Sequence, residues 1–85
     1  MHAAVAKYDP LARYLRHQTL DQLELSFPEV ERLIGDLLPK SAKRPQWWAN
    51  EHGPAAHVQS FAWLSAGYEA FLQAGKDRVT FRRKV

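Results

Sequence analysis

The stretch from Trp47 to Tyr68 constrains the fold more than any other part of the chain. It opens on Trp47-Trp48-Ala49-Asn50, is broken by Gly53-Pro54, and runs from Val58 to Gly67-Tyr68, holding all three tryptophans. A Gly-Pro pair offers a cap and then a first helical position, where the N–H that proline lacks has no partner to lose. A glycine just past the last periodic residue ends a helix in the left-handed region. The spacing therefore predicts a helix over about Pro54–Ala66. Beyond it the pattern changes to a hairpin: Tyr68 to Gln73, a turn around Ala74-Gly75-Lys76-Asp77, then Arg78 to Arg83. On that second strand Val79 and Phe81 share one face, and Arg78, Thr80 and Arg82 the other.

The rest of the chain is arranged around this unit. Residues 1–7 are alanine-rich and aperiodic, which predicts a frayed start before a single domain over residues 8–85. Asp9-Pro10 reads as a cap and a first position for a helix over about Pro10–Gln18, with Leu11, Tyr14 and Leu15 on one face. Leu23-Glu24-Leu25-Ser26-Phe27 alternates as a half-buried strand does, with Leu23, Leu25 and Phe27 inward. Ser26-Phe27-Pro28-Glu29 has the spacing of a capping box, Val30, Leu33 and Ile34 form the stripe of a second helix, and Gly35 terminates it. Leu37-Leu38 is expected to be buried. Pro39 opens a turn through Ala42, Pro45 forbids a continuous helix, and a further turn over Pro45–Ala49 sets Trp47 and Trp48 on adjacent faces.

Helix, strand, helix, irregular segment, helix and hairpin is the order of a winged-helix-like α+β fold with a small antiparallel sheet. One departure stands out. A helix-turn-helix joins its helices by a turn of about 3–4 residues, whereas about eighteen residues, 36–53, intervene here. Either this segment holds an extra helical turn or the fold is another small α+β arrangement.

Composition narrows the function. Eighty-five residues with 46% hydrophobic and 25% charged content suit one globular domain. Without cysteine there is no disulfide or thiolate metal site, which suits a reducing cytosol. No apolar run approaches the roughly 20 residues of a membrane span, so the expectation is a soluble, cytoplasmic chain with no membrane partner. His52 and His57 are five positions apart, a spacing that does not stack two imidazoles on one helical face. No nucleophile elbow, glycine-rich phosphate loop or paired carboxylates stand out. No metal, cofactor, catalytic residue or enzymatic activity is expected.

The charge, +3 overall, is uneven. Residues 21–36 are acidic, Lys40, Lys43 and Arg44 follow without an acid, and Lys76, Arg78, Arg82, Arg83 and Lys84 are opposed only by Asp77. This distribution suits a polyanion. The expected partner is double-stranded DNA, in the manner of a transcriptional regulator. The third helix would read the major groove through Gln59 and Ser60, with His57 at its border. Lys76, Arg78, Arg82, Arg83 and Lys84 on the wing would hold phosphates, helped by Lys43 and Arg44. Helical spacing puts Val58, Phe61 and Leu64 in one arc about 120° wide. Trp63 lies outside that arc, and either meets the Trp47-Trp48 loop as a second layer or faces solvent. The alternative is a protein-interaction or homodimerisation module using exposed tryptophan and the hairpin edge. A third reading stacks single-stranded nucleic acid on Trp48. Charged strands also deter edge-to-edge aggregation without binding anything.

Several motifs together resemble a small bacterial domain family of unknown function. They are Tyr8-Asp9-Pro10-Leu11, Phe27-Pro28-Glu29-Val30-Glu31, Leu38-Pro39-Lys40-Ser41-Ala42, Trp47-Trp48-Ala49-Asn50, Ala62-Trp63-Leu64-Ser65-Ala66-Gly67-Tyr68 and Val79-Thr80-Phe81-Arg82-Arg83. The resemblance spans about residues 7–84, and Tyr68 stands where the family usually has tryptophan. It implies the extent of the domain and carries no activity to transfer.

Overall fold

The computed structural model of the chain describes residues 7–51 and 58–84. Its elements are α1 (Asp9–Arg16), β1 (Gln22–Ser26), α2 (Phe27–Ile34), two 3-10 turns (Lys40–Lys43 and Pro45–Trp48), α3 (Val58–Leu64), β2 (Tyr68–Gln73) and β3 (Arg78–Arg83). This is the expected α+β order, compatible with a winged-helix-like arrangement. The irregular segment resolves into the two short turns.

Local chemistry explains most boundaries. Helix α1 begins at Asp9, with Tyr8 as the preceding residue and no side-chain cap, so Asp9 sits in the first turn and does not cap it. Helix α2 carries the expected capping box: the Ser26 hydroxyl accepts from the Glu29 N–H at 3.2 Å, and Glu29 Oε1 accepts from the Ser26 N–H at 2.7 Å. The Ser26 N–H, followed by its hydroxyl, holds the Glu29 carboxyl below its ordinary value. Gly35 ends the helix at φ 72°, in the left-handed region. Arg44, directly before Pro45, is extended at φ −107°, ψ 140°, which separates the two 3-10 turns.

The sheet has the order β1-β3-β2, entirely antiparallel. Leu23 and Ala70 flank Phe81, and Leu25 and Leu72 flank Val79. These positions form the inner face. The outer face carries Gln22, Glu24 and Ser26 against Arg82, Thr80 and Arg78, with Glu69, Phe71 and Gln73 beyond. Phe27 is buried as expected but opens α2; its N–H still extends the ladder by donating to the Asp77 carbonyl at 2.9 Å. The core joins Leu11 and Leu15 of α1, Val30 of α2, Val79 and Phe81 of β3, and the two tryptophans Trp48 and Trp63.

Three expectations need correction or fall elsewhere. Leu37 is exposed while Leu38 is partly buried. Asp36 Oδ1 accepts from the Leu37 N–H at 2.7 Å, while Leu38, whose N–H donates to Glu31 Oε2 at 2.9 Å, is the one that packs against the core. The predicted Gly53-Pro54 start of α3 lies outside the described residues. So does the predicted fray of the N-terminus, except for Lys7, whose Nζ lies 3.1 Å from Asp36 Oδ2.

Candidate functional site

The tryptophans build a clasp. Trp48 stacks on Trp63 with ring centroids 5.4 Å apart, and Trp47 meets Trp48 edge-on at 4.7 Å. Phe81 closes the cluster from the sheet, 6.1 Å from Trp63. Trp63 thus takes the second layer over the Trp47-Trp48 turn and does not face solvent. Trp48 is buried as well, which removes the stacking platform expected of it for single strands.

Asn50 ties this clasp to the sheet, a role that residue type and spacing did not suggest. Its Oδ1 accepts from the Trp63 indole N–H at 2.9 Å and from the Ala70 N–H at 2.8 Å. Its Nδ2 donates to the Ala70 carbonyl at 2.9 Å. The only hint in the sequence is an amide two positions after the tryptophan pair, beyond Ala49.

The clasp rotates α3 relative to the expected face. Gln59 and Ser60 are 5% and 1% exposed, and Val58 and Phe61 are 79% and 73% exposed. Gln59 Nε2 donates to the Trp47 carbonyl at 3.0 Å, and Ser60 Oγ donates to the Glu51 carbonyl at 3.2 Å. Both groups expected to read bases are turned inward onto the backbone of the preceding segment. The cause is tertiary: the Trp47-Trp48 turn and Asn50 offer carbonyls, an amide and rings that Gln59, Ser60 and Trp63 can use, so the helix follows Trp63 and leaves Phe61 outside. His57, the third expected reader, lies outside the described residues.

The cations separate into engaged and open groups. Arg83 is engaged. Its Nη2 donates to the Gln18 carbonyl at 3.0 Å, the Leu20 carbonyl at 3.3 Å and the Tyr68 hydroxyl at 2.9 Å. Its Nε lies 3.4 Å from Asp21 Oδ1, and its guanidinium lies over the Tyr68 ring. The period-2 pattern already held this signal, because Arg83 shares a face with Val79 and Phe81. Arg82 Nε donates to Gln22 Oε1 at 3.3 Å and lies over the Phe71 ring at 5.1 Å. Arg78 approaches Glu24 at 3.7 Å, and Lys43 approaches Asp77 at 3.6 Å. Lys40, Arg44, Lys76 and Lys84 form no ion pair among the described residues.

The Lys43–Asp77 contact has a geometric consequence. It seats the first 3-10 turn against the hairpin turn, so two basic segments distant in sequence adjoin at one end of the molecule. Lys40 and Lys43 line one recess there with Asp77 and Glu31, and Lys76 and Arg78 flank Asp77 in the chain. Arg82, Arg83 and Lys84 lie at the opposite end of β3, lining a shallow recess with Asp21 and Gln22. The structure does not bring all the expected phosphate contacts together.

Among the described residues no group of His, Cys, Asp or Glu has the arrangement of a metal site, and no helix is long and apolar enough to cross a membrane. No curated protein and no solved structure significantly matches the chain. A family model does match, over residues 8–84, the full span of α1 through β3. The chain belongs to the family described as Domain of unknown function (DUF7662).

Proposed function

We propose that the domain binds double-stranded DNA through the end of the molecule where the hairpin turn meets the first 3-10 turn. The observation that carries this reading is the Lys43 Nζ to Asp77 Oδ2 distance of 3.6 Å, which brings the turn bearing Lys40 and Lys43 to the hairpin turn, where Lys76 and Arg78 flank Asp77 in the chain. Two of these cations face acids, but every member of the two pairs is between 47% and 68% exposed to solvent. Such pairs contribute about 0–1 kcal/mol, so a phosphate can replace the carboxylate at little cost. Gln59, Ser60 and Arg83 take no part, because Gln59 and Ser60 are turned inward and Arg83 is held by its Nη2 and Nε contacts. Contacts of this kind give affinity with little sequence discrimination.

Fluorescence anisotropy with a random duplex tests it. Binding at micromolar protein should weaken with salt, with a log–log slope of about −3 for three to four phosphate contacts. The double variant Lys40→Glu/Lys76→Glu should lose about tenfold or more and flatten the slope by about 2. Binding that is absent, or present and insensitive to salt, overturns the reading.

A second reading rests on a different observation. Val58 and Phe61 project from α3 largely exposed, and large apolar groups on an exposed helix face suit a protein partner or a second copy of the chain. Light scattering across a concentration series distinguishes self-association: the apparent mass should rise with concentration, and Phe61→Ser should abolish the rise. A constant mass excludes the second copy.

A further inference from the structure

Two of the three tryptophans have committed their indole N–H groups inside the fold. Trp48 donates to the Ala42 carbonyl at 2.7 Å, and Trp63 donates to Asn50 at 2.9 Å. Trp47 makes no such bond among the described residues, and its ring is only partly buried. Its orientation is nevertheless fixed, by Tyr8 edge-on at 5.8 Å, Trp48 at 4.7 Å and Trp63 at 6.4 Å. Trp47 lines a cleft of about 270 Å³ together with Ser41, Arg44 and Gln46. None of these four is acidic, and Arg44 forms no ion pair among the described residues.

We propose that this cleft is a subsite for one unpaired nucleotide of a single-stranded nucleic acid. The proposal goes beyond duplex binding at the hairpin turn and does not depend on it. Each wall supplies a part of nucleotide chemistry. The Arg44 guanidinium is a planar fork that matches a phosphate. The Trp47 indole offers an aromatic surface for a base and an uncommitted N–H donor. The Gln46 amide and Ser41 hydroxyl both donate and accept, as recognition of an exposed base edge requires. Size sets the occupant: the cleft falls just below the roughly 300–1,000 Å³ of sites for drug-sized ligands, so it takes one nucleotide unit. Continuity argues for a strand over a free nucleotide. Lys40 and Lys43 belong to the 3-10 turn that ends directly before Arg44, and they line the recess with Asp77, so cations continue past the cleft for the phosphates of a longer strand.

Intrinsic fluorescence of the full chain tests this, with a short single-stranded oligonucleotide and an abasic strand of the same length as probes. The base-bearing strand should quench tryptophan emission to saturation, and the abasic strand should bind at least about fivefold more weakly without quenching. Trp47→Phe should remove the quenching while Trp48 and Trp63 still report a folded core. Arg44→Ala should weaken binding about three- to tenfold and reduce the salt slope by about 0.7. Lys76→Glu should leave the quenching intact, so loss of duplex binding at the hairpin turn is separable from failure of this subsite. Unchanged fluorescence at saturating strand, equal quenching by the abasic strand, or quenching retained in Trp47→Phe overturns the proposal. The abasic comparison uses the unaltered protein and decides the matter even if Trp47→Phe does not fold.

Discussion

A primary amide carries the same donor and acceptor as a peptide group, and Asn50 uses its amide in that way. The Ala70 N–H and C=O point away from β3, toward the free edge of β2, and the Asn50 side chain pairs with both. It stands where one residue of a neighbouring strand would stand, and so closes the edge at its midpoint against pairing with another chain. The same Oδ1 also accepts from Trp63. Asn50→Ala would leave an indole N–H, a backbone N–H and a backbone carbonyl without partners in partly buried surroundings. Each such loss costs about 1–3 kcal/mol, with some recovery from water. The expected total is about 2–4 kcal/mol, or a melting temperature lower by about 10–25 °C for a domain of this size. Thermal unfolding followed by circular dichroism measures it. A shift of only a degree or two would mean that the edge finds other partners when the amide is gone.

Helix α3 shows what an element's own sequence leaves open. Val58, Phe61 and Leu64 make one apolar arc, while Gln59, Ser60, Ala62 and Trp63 make the opposite one, and period alone favours the first. The choice is tertiary: the Trp47-Trp48 turn and Asn50 supply acceptors and rings that only the second arc can use. Features with local causes were legible throughout. The capping box needs only Ser26 and Glu29, the helix end needs only Gly35, and the break between the 3-10 turns needs only Pro45. The candidate site was legible by residue type but not by occupancy, because which cations meet acids depends on register and on how the loops are seated. The rotation makes a sharp prediction for two aromatic residues of one helix. Phe61→Gln should change stability by no more than about 0.5 kcal/mol, as an exposed substitution does, and Trp63→Ala should cost about 3–5 kcal/mol. Urea unfolding of both variants checks it. The reverse ranking would restore the Phe61 face to the core.

At the scale of the molecule the central strand of the sheet is the last one in the chain. Strand β3 pairs with β2 across a tight hairpin but with β1 across most of the sequence, Leu23 lying opposite Phe81. That long-range closure carries a large share of the fold's non-local contacts, and one side chain secures its end. The Arg83 N–H donates to the Asp21 carbonyl at 2.7 Å, and its guanidinium bridges Gln18, Leu20 and Tyr68. The Tyr68 hydroxyl in turn donates to the Leu20 carbonyl at 2.6 Å. The connection between α1 and β1 and both strands of the hairpin therefore meet at one residue. A lysine ammonium is compact and lacks the planar fork needed to hold these acceptors and the Tyr68 ring together. Arg83→Lys should cost about 1–3 kcal/mol by urea unfolding even though the charge is kept. Duplex affinity of the folded variant should stay within about twofold of the parent with an unchanged salt slope, because the Arg83 Nη2 and Nε are already engaged within the chain. A slope smaller by about one, with stability unaltered, would reverse the assignment and return Arg83 to the phosphate-binding cations.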